Sequence, residues 1–247
     1  MLSEAFSSLS MATLAVLWSG AFLGGMASGA AGFAFGIVSS AIWLHVLAPV
    51  QTTFLVAAGG LVIQAGTIWP LRHSLDRQRL GPLLLAGALG VPVGVWLLVR
   101  SDAHSLKLAI GVFLAAYGVY ALFAPRLPHI EAGRGADAAI GFVGGILGGI
   151  GGYSGVLPAI WAQVRGWRKD VARSFYQPFI VMAHVVTIAL IGTVALDLKG
   201  LVLFVLALPW LALGAWAGWN IYGRLDEIRF RQMFAVLLIV SGLTLML

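Results

Sequence analysis

The chain of 247 residues is 60% hydrophobic and only 10% charged, with a mean hydropathy of +0.98, whereas a soluble domain carries about 25% charged residues. That composition excludes an ordinary soluble fold and leaves room for one compact helical membrane domain. The net charge of +6 and pI near 10.2 reflect a small Lys/Arg excess at membrane edges, not a nucleic-acid surface, and the absence of cysteine excludes disulfides, thiolate chemistry and a cysteine-held metal.

The first residues contain Glu4 and no Lys or Arg precedes Arg72. The basic start of a signal peptide is missing, and residues 11–31 are expected to stay in the mature protein. Apolar runs then cover 11–47, 51–70, 82–100, 107–124, 138–164, 174–196, 200–222 and 232–247. Six suit a membrane span of about 20 residues, the last being short. The first, of 37 residues, and the fifth, of 27, are too long: the longer would make a helix of roughly 55 Å against a hydrocarbon core of about 30 Å.

Both long runs contain a glycine-rich stretch, GGMASGAAGFAFG (24–36) and GGILGGIGGYSGV (144–156). Glycine weakens a helix and admits left-handed turns. Non-helical backbone at membrane depth survives only where protein covers it or where it lines a cavity. Each long run is therefore either one tilted span or a broken helix that enters and returns as a V. Charge decides between them. With two V-shaped segments, loops 71–81, 125–137, 165–173 and 223–231 share a face that holds 12 of the 15 Lys/Arg, leaving Arg100, Lys107 and Lys199 opposite. Eight simple crossings split the same residues 6 against 9. The positive-inside rule selects the V arrangement, with the basic face cytoplasmic and both termini outside.

In that arrangement the two halves are inverted copies. At an offset of 120, Phe22, Gly24, Gly25, Gly29 and Gly32 fall on Phe142, Gly144, Gly145, Gly149 and Gly152, and Phe33 falls on Tyr153. At an offset of 124, Leu89, Gly90, Gly94, Arg100 and Asp102 fall on Leu213, Gly214, Gly218, Arg224 and Asp226, and Gly118 on Gly242. The expected fold is an all-α integral membrane protein of two inverted repeats, each a V-shaped broken helix followed by three transmembrane helices. The repeats occupy 1–124 and 138–247, with a cytoplasmic linker at 125–137. Broken helices of inverted repeats that meet near the midplane are a recurring transporter plan.

The segments SGAAGFAFGIV with LAPVQTT (28–38 and 47–53) and GGIGGYSGVLP with RKDVARS (148–158 and 168–174) carry a resemblance. Their order, spacing and duplication resemble the sulfite exporter TauE/SafE family of membrane transporters over essentially the whole chain. Ala34 and Phe35 stand where family members often have glycine, and Ser39 or Ser40 where the first half usually has proline. The resemblance implies export of a small anion such as sulfite or an organosulfonate.

All nine Asp and Glu are expected in loops or in the N-terminal tail, and no Lys or Arg is placed deep. A carboxylate proton relay or carboxylate-held sodium site needs a buried acid; none is expected, nor is a metal or cofactor. An anion site would use backbone N–H groups, the helix restarts beyond each break and neutral side chains. Pro158 fits the first turn of such a restart, and Ser154 a cap or ligand there. The competing reading of the break glycines is close helix packing, which accounts for Gly90/Gly94 and Gly214/Gly218.

The candidate substrate-binding residues are Gly32, Phe33 and Gly36 at the first break; Gly152, Tyr153, Ser154 and Gly155 at the second; Gln177 and His184, seven residues apart on one helix face; and Gln51. His184 is either a packing histidine or an anion donor and proton carrier. Gln64 is assigned to an interhelical hydrogen bond. Trp43, Trp69, Trp161 and Trp167 are read as interfacial anchors. Arg165, Arg168, Lys169 and Arg173 are read as a basic cytoplasmic mouth or as topology signals.

Gly152-Tyr153-Ser154-Gly155 with His184 also resembles the GxSG serine and histidine of rhomboid-type intramembrane proteases. A Ser154/His184 dyad is the enzyme alternative, although Ala34 is the counterpart of Ser154. A non-transporting membrane scaffold is a third reading, weakened by the lack of any large loop. The expectation carried forward is a multi-pass inner-membrane exporter and no enzyme. Its partners would be a small anion and the bilayer, no nucleic acid, and possibly a second copy as a homodimer.

Overall fold

The computed structural model describes residues 10–68, 77–123, 130, 132–194, 198–221 and 227–247. Among the described residues it contains ten α-helices: α1 Met11–Ala31, α2 Phe35–Trp43, α3 Pro49–Ile68, α4 Arg77–Arg100, α5 Ala103–Phe123, α6 Arg134–Gly151, α7 Val156–Val164, α8 Lys169–Val194, α9 Leu198–Ile221 and α10 Glu227–Met246. Within these, five segments are long and apolar enough to cross a membrane: Met11–Ala31, Leu80–Arg100, Ala103–Phe123, Val171–Gly192 and Leu198–Asn220. Shorter apolar stretches cover Pro49–Ala65 and Phe234–Met246.

The two long apolar runs do break, and they break alike. Helix α1 starts at the Ser10 cap, whose Oγ accepts from the Thr13 N–H at 3.1 Å. It ends at Gly32, which has φ 85° and donates its N–H to Ser28 O at 2.7 Å. Helix α6 ends at Gly152, with φ 77° and an N–H bond to Gly148 O at 2.8 Å. A side chain in the left-handed region costs about 1–2 kcal/mol, so these two positions favour glycine.

Beyond each break a nine-residue helix folds back along its predecessor. Ser39 Oγ donates to Gly20 O and Trp43 Nε1 to Leu17 O, both at 3.0 Å, so α2 descends α1 antiparallel. Trp161 Nε1 donates to Asp137 Oδ1 at 2.8 Å, and Arg165 Nη1 to Ala132 O at 2.6 Å; the end of α7 has come back to the beginning of α6.

Glycines then set the packing of the long helices. A Cβ on Gly25 would lie 2.6 Å from Leu211 O, and one on Gly149 would lie 2.7 Å from the Val95 amide. Gly29 faces Ala215 and Gly218. Gly90 faces Phe142, and Gly94 faces Ile146. These contacts lay α1 parallel to α9 and α6 parallel to α4, backbone against backbone, as small residues allow in a membrane. Helices α5 and α10 cross antiparallel, with Gly111 against Gly242 and Gly118 against Ala235. The contacts come in matched pairs: Gly25 on Leu211 repeats as Gly145 on Gly87, Gly214 on Phe22 as Gly90 on Phe142, and Gly218 on Met26 as Gly94 on Ile146.

The interior core gathers Leu17, Phe35, Trp43, Leu55, Leu114 and Leu203, while Leu85, Trp96, Val205, Trp216 and Trp219 face outward. Three expectations are corrected. Trp43 is no interfacial anchor: it is 1% exposed and its indole is tied to α1. Asp137 lies in the first turn of α6, not in a linker; it is buried and bonded to Trp161, which is thereby a structural partner. Arg173 sits inside α8 and reaches the first break. Trp69 lies outside the described residues.

Candidate functional site

The two breaks touch. A Cβ on Gly36 would lie 2.6 Å from Gly152 O, and one on Gly155 would lie 2.9 Å from the Phe33 Cβ and 2.7 Å from the Ile180 Cδ1. The predicted residues of both breaks therefore share one place in the interior. The restart of α7 carries Pro158 in its first turn, where a missing N–H costs nothing.

Around this junction lie buried polar side chains: the hydroxyls of Thr52, Ser154 and Thr187 and both amide atoms of Gln177 have no protein partner, the Ser40 and Tyr153 hydroxyls lie in reach of each other, and the His184 ring faces the Gly152 backbone. Ser154 and Gln177 are fully buried, and His184 is 3% exposed. An unsatisfied buried polar atom costs about 1–3 kcal/mol, and polar groups inside a membrane protein mark function. Gln177, His184 and Thr187 follow at spacings of seven and three along α8 and so face one way. The Ser154 Cβ lies 2.9 Å from the place a Cβ on Gly148 would take. The His184 ring occupies the space left by Gly60, its Nδ1 2.6 Å from that residue's Cβ position. Among the described residues, no Asp or Glu belongs to this set.

Phe33 and Tyr153 are sequence mates with different surroundings. Phe33 packs edge-on against Tyr176 of α8 at 5.7 Å, and Tyr153 tilts onto Phe113 of α5 at 5.3 Å. Gln51 is half-buried in the first turn of α3, and the buried polar residues of that turn are Thr52 and Thr53. Thr53 Oγ1 donates to Ile150 O at 2.8 Å. Gln64 makes the expected interhelical bond, donating Nε2 to Gly32 O at 3.1 Å.

At the C-terminal end of α1, Arg173 Nη2 donates to Ala30 O and the Tyr176 hydroxyl to Ala31 O, both at 3.2 Å. Cations and donors favour this end of a helix, where carbonyls are unsatisfied. Sequence reading passed over Tyr176, Thr52 and Thr187 and left Arg173 in a surface loop. The signal was available: Arg173, Gln177, Ile180 and His184 recur at helical spacing, so Arg173 shares the face of the two chosen residues. Ser154 Oγ and the His184 ring share no hydrogen bond, so the protease dyad is not assembled.

Neither a curated protein nor a solved structure matches the chain. A family model does match, over residues 17–245, and it takes in both breaks, every candidate site residue, four of the five apolar spans and most of the first. The chain is a multi-pass membrane protein of the sulfite exporter TauE/SafE family.

Proposed function

We propose that the protein exports a small oxoanion, sulfite or an organosulfonate, by alternating access around the junction of the two breaks. The observation that carries this reading is the group Ser154, Gln177 and His184: buried, with no partner on Ser154 or Gln177, beside the restart of α7 and free of carboxylates. Such a set offers hydrogen-bond donors and a helix N-terminus to an anion and no partner for a cation. Ser154 would cap the anion from the second break, with Gln177 and His184 forming the wall.

Two inverted repeats fit the helix directions. Helix α2 returns to the side where α1 began, three helices follow, and α6 then starts from the opposite side, running parallel to α4. The matched glycine contacts support a pseudo-two-fold relation between the halves. Rocking one repeat against the other would expose the junction to each side in turn. With the basic loops cytoplasmic, both termini lie outside the inner membrane. Outward movement of an anion across an inside-negative membrane gains about 2.3 kcal/mol per charge per 100 mV, so a uniporter suffices.

A substrate panel in proteoliposomes with an imposed potential tests this. Efflux of sulfite or a sulfonate, quickened by an inside-negative potential, is the expected result. Movement of cations or neutral solutes with no anion would reject it.

A further inference from the structure

Each break brings together two helix ends of opposite sign: the C-terminus of the first arm, whose last carbonyls lack helical partners, and the N-terminus of the returning arm, whose first amides lack them. Left alone, the two partial charges would largely cancel. The protein treats the two ends differently. Three successive carbonyls at the end of α1 are covered by side chains. Ala30 O accepts from Arg173 Nη2 and Ala31 O from the Tyr176 hydroxyl, both at 3.2 Å, and Gly32 O accepts from Gln64 Nε2 at 3.1 Å. At the end of α6, Ile150 O accepts from Thr53 Oγ1 at 2.8 Å, and the His184 ring faces the Gly152 backbone. The duplication keeps this pattern. At the offset of 120, Thr53 falls on Arg173 and Ala30 on Ile150, while Gln64 falls on His184 and Gly32 on Gly152. All of these side chains come from α3 or α8. The restarts are left bare: among the described residues, no side chain caps α2 at Ala34 or α7 at Gly155.

We infer that α3 and α8 set the sign of the junction by covering its carbonyl ends, so that the anion moves without a sodium ion, and that Gln64 is the positioning residue for this at the first break. Where broken helices couple transport to sodium, unwound carbonyls and the C-terminal ends of half-helices supply the ligands of the cation. Here those oxygens already face N–H and O–H donors, which offer a cation nothing. The bare amide ends keep their partial positive charge, and the unpartnered Ser154 hydroxyl and Gln177 amide lie fully buried beside the breaks. Gln64 acts through Gly32, holding the last carbonyl of the arm. This inference rests on the anion-transporter reading above.

The test is sulfite efflux from proteoliposomes at fixed ionic strength, in sodium and with sodium replaced by N-methyl-D-glucamine. For wild type, the half-saturating sulfite concentration and the maximal rate should each agree within about twofold between the two media, a difference too small for a lost coupling ion. A larger fall without sodium overturns the inference, and this comparison decides even where a variant does not fold. Gln64→Leu leaves Gly32 O without its donor and should raise the half-saturating concentration by roughly tenfold or more, as expected for a buried acceptor left unsatisfied beside an anion. Gln64→His restores a donor of the kind found at the mate position and should stay within about threefold of wild type. Melting in detergent shows that both variants are folded. A smaller rise in Gln64→Leu, or a histidine variant as impaired as the leucine one, overturns the part given to Gln64. Wild-type protein that moves neither sulfite nor another small oxoanion in either medium overturns the transporter reading itself.

Discussion

Gln177, proposed to bind the anion, would differ from a structural residue in a measurable way. Fully buried and unpartnered, its amide lowers the stability of the ligand-free protein. Gln177→Leu should therefore keep or raise the melting temperature in detergent while weakening anion affinity by about 1.5–3 kcal/mol, the usual worth of a hydrogen bond to a charge. That is roughly ten- to a hundredfold in half-saturation. A lowered melting temperature with unchanged transport would make Gln177 a packing residue. Ser154→Ala should behave likewise. If His184 carries a proton with the anion, His184→Ala removes the pH dependence of transport without unfolding the protein; an unchanged pH profile excludes that role. The burial of Ser154, Gln177 and His184 was legible in the sequence because polar residues in long apolar runs stand out. Arg173 was not, because a basic residue next to a loop looks like a topology signal until the fold brings α8 over the end of α1. Trp43 misled for a related reason: tryptophan near a span end suggests the interface, and only the fold-back of α2 buries it.

Glycine carries the element scale. Gly25 and Gly149 are not site residues; they let long helices meet backbone to backbone. Gly29→Val and Gly149→Val should each destabilise the protein by about 1–3 kcal/mol or more through overpacking, and by similar amounts, since Gly29 against Ala215 and Trp219 repeats as Gly149 against Val91 and Val95. Thermal melts of the two variants check this, and a change tolerated in one half alone would break the equivalence. The helix breaks were legible from run length and glycine content, and the restarts from Pro158. The start of α6 was not, because Asp137 resembles a loop residue until Trp161 returns to bond it.

The turn after α2 ties to α10 through His45 Nε2 and Ser241 Oγ at 3.0 Å. Burial, then the charge of Lys107, holds the His45 pKa below its ordinary value of 6.5. Its folded pKa lies below its unfolded one, so the contribution to stability is complete above about pH 6.5 and is lost as pH falls through that range. A melting temperature that drops on acidification, less steeply in His45→Gln, is expected.

For the whole molecule, the fold-back of each broken helix was legible from charge: a 12-to-3 division of Lys/Arg is intelligible only if both broken helices return to their own side. Single cysteines in loops 71–81 and 165–173 should react from the same face; labelling from opposite faces would remove the inverted arrangement. Sequence could not show that the breaks touch, since contact between Gly36 and Gly152 depends on how α3 and α8 pack. The proposed anion site lies at that contact. The most direct measurement is the current across a proteoliposome membrane after a sulfite jump, for wild type and for the Ser154→Ala/Gln177→Leu pair. A current of negative charge moving with sulfite, lost in the paired variant while its fold is retained, is the predicted result. A wild-type current carried by cations, or one that the paired variant leaves unchanged, would contradict an anion site at the junction of the two breaks.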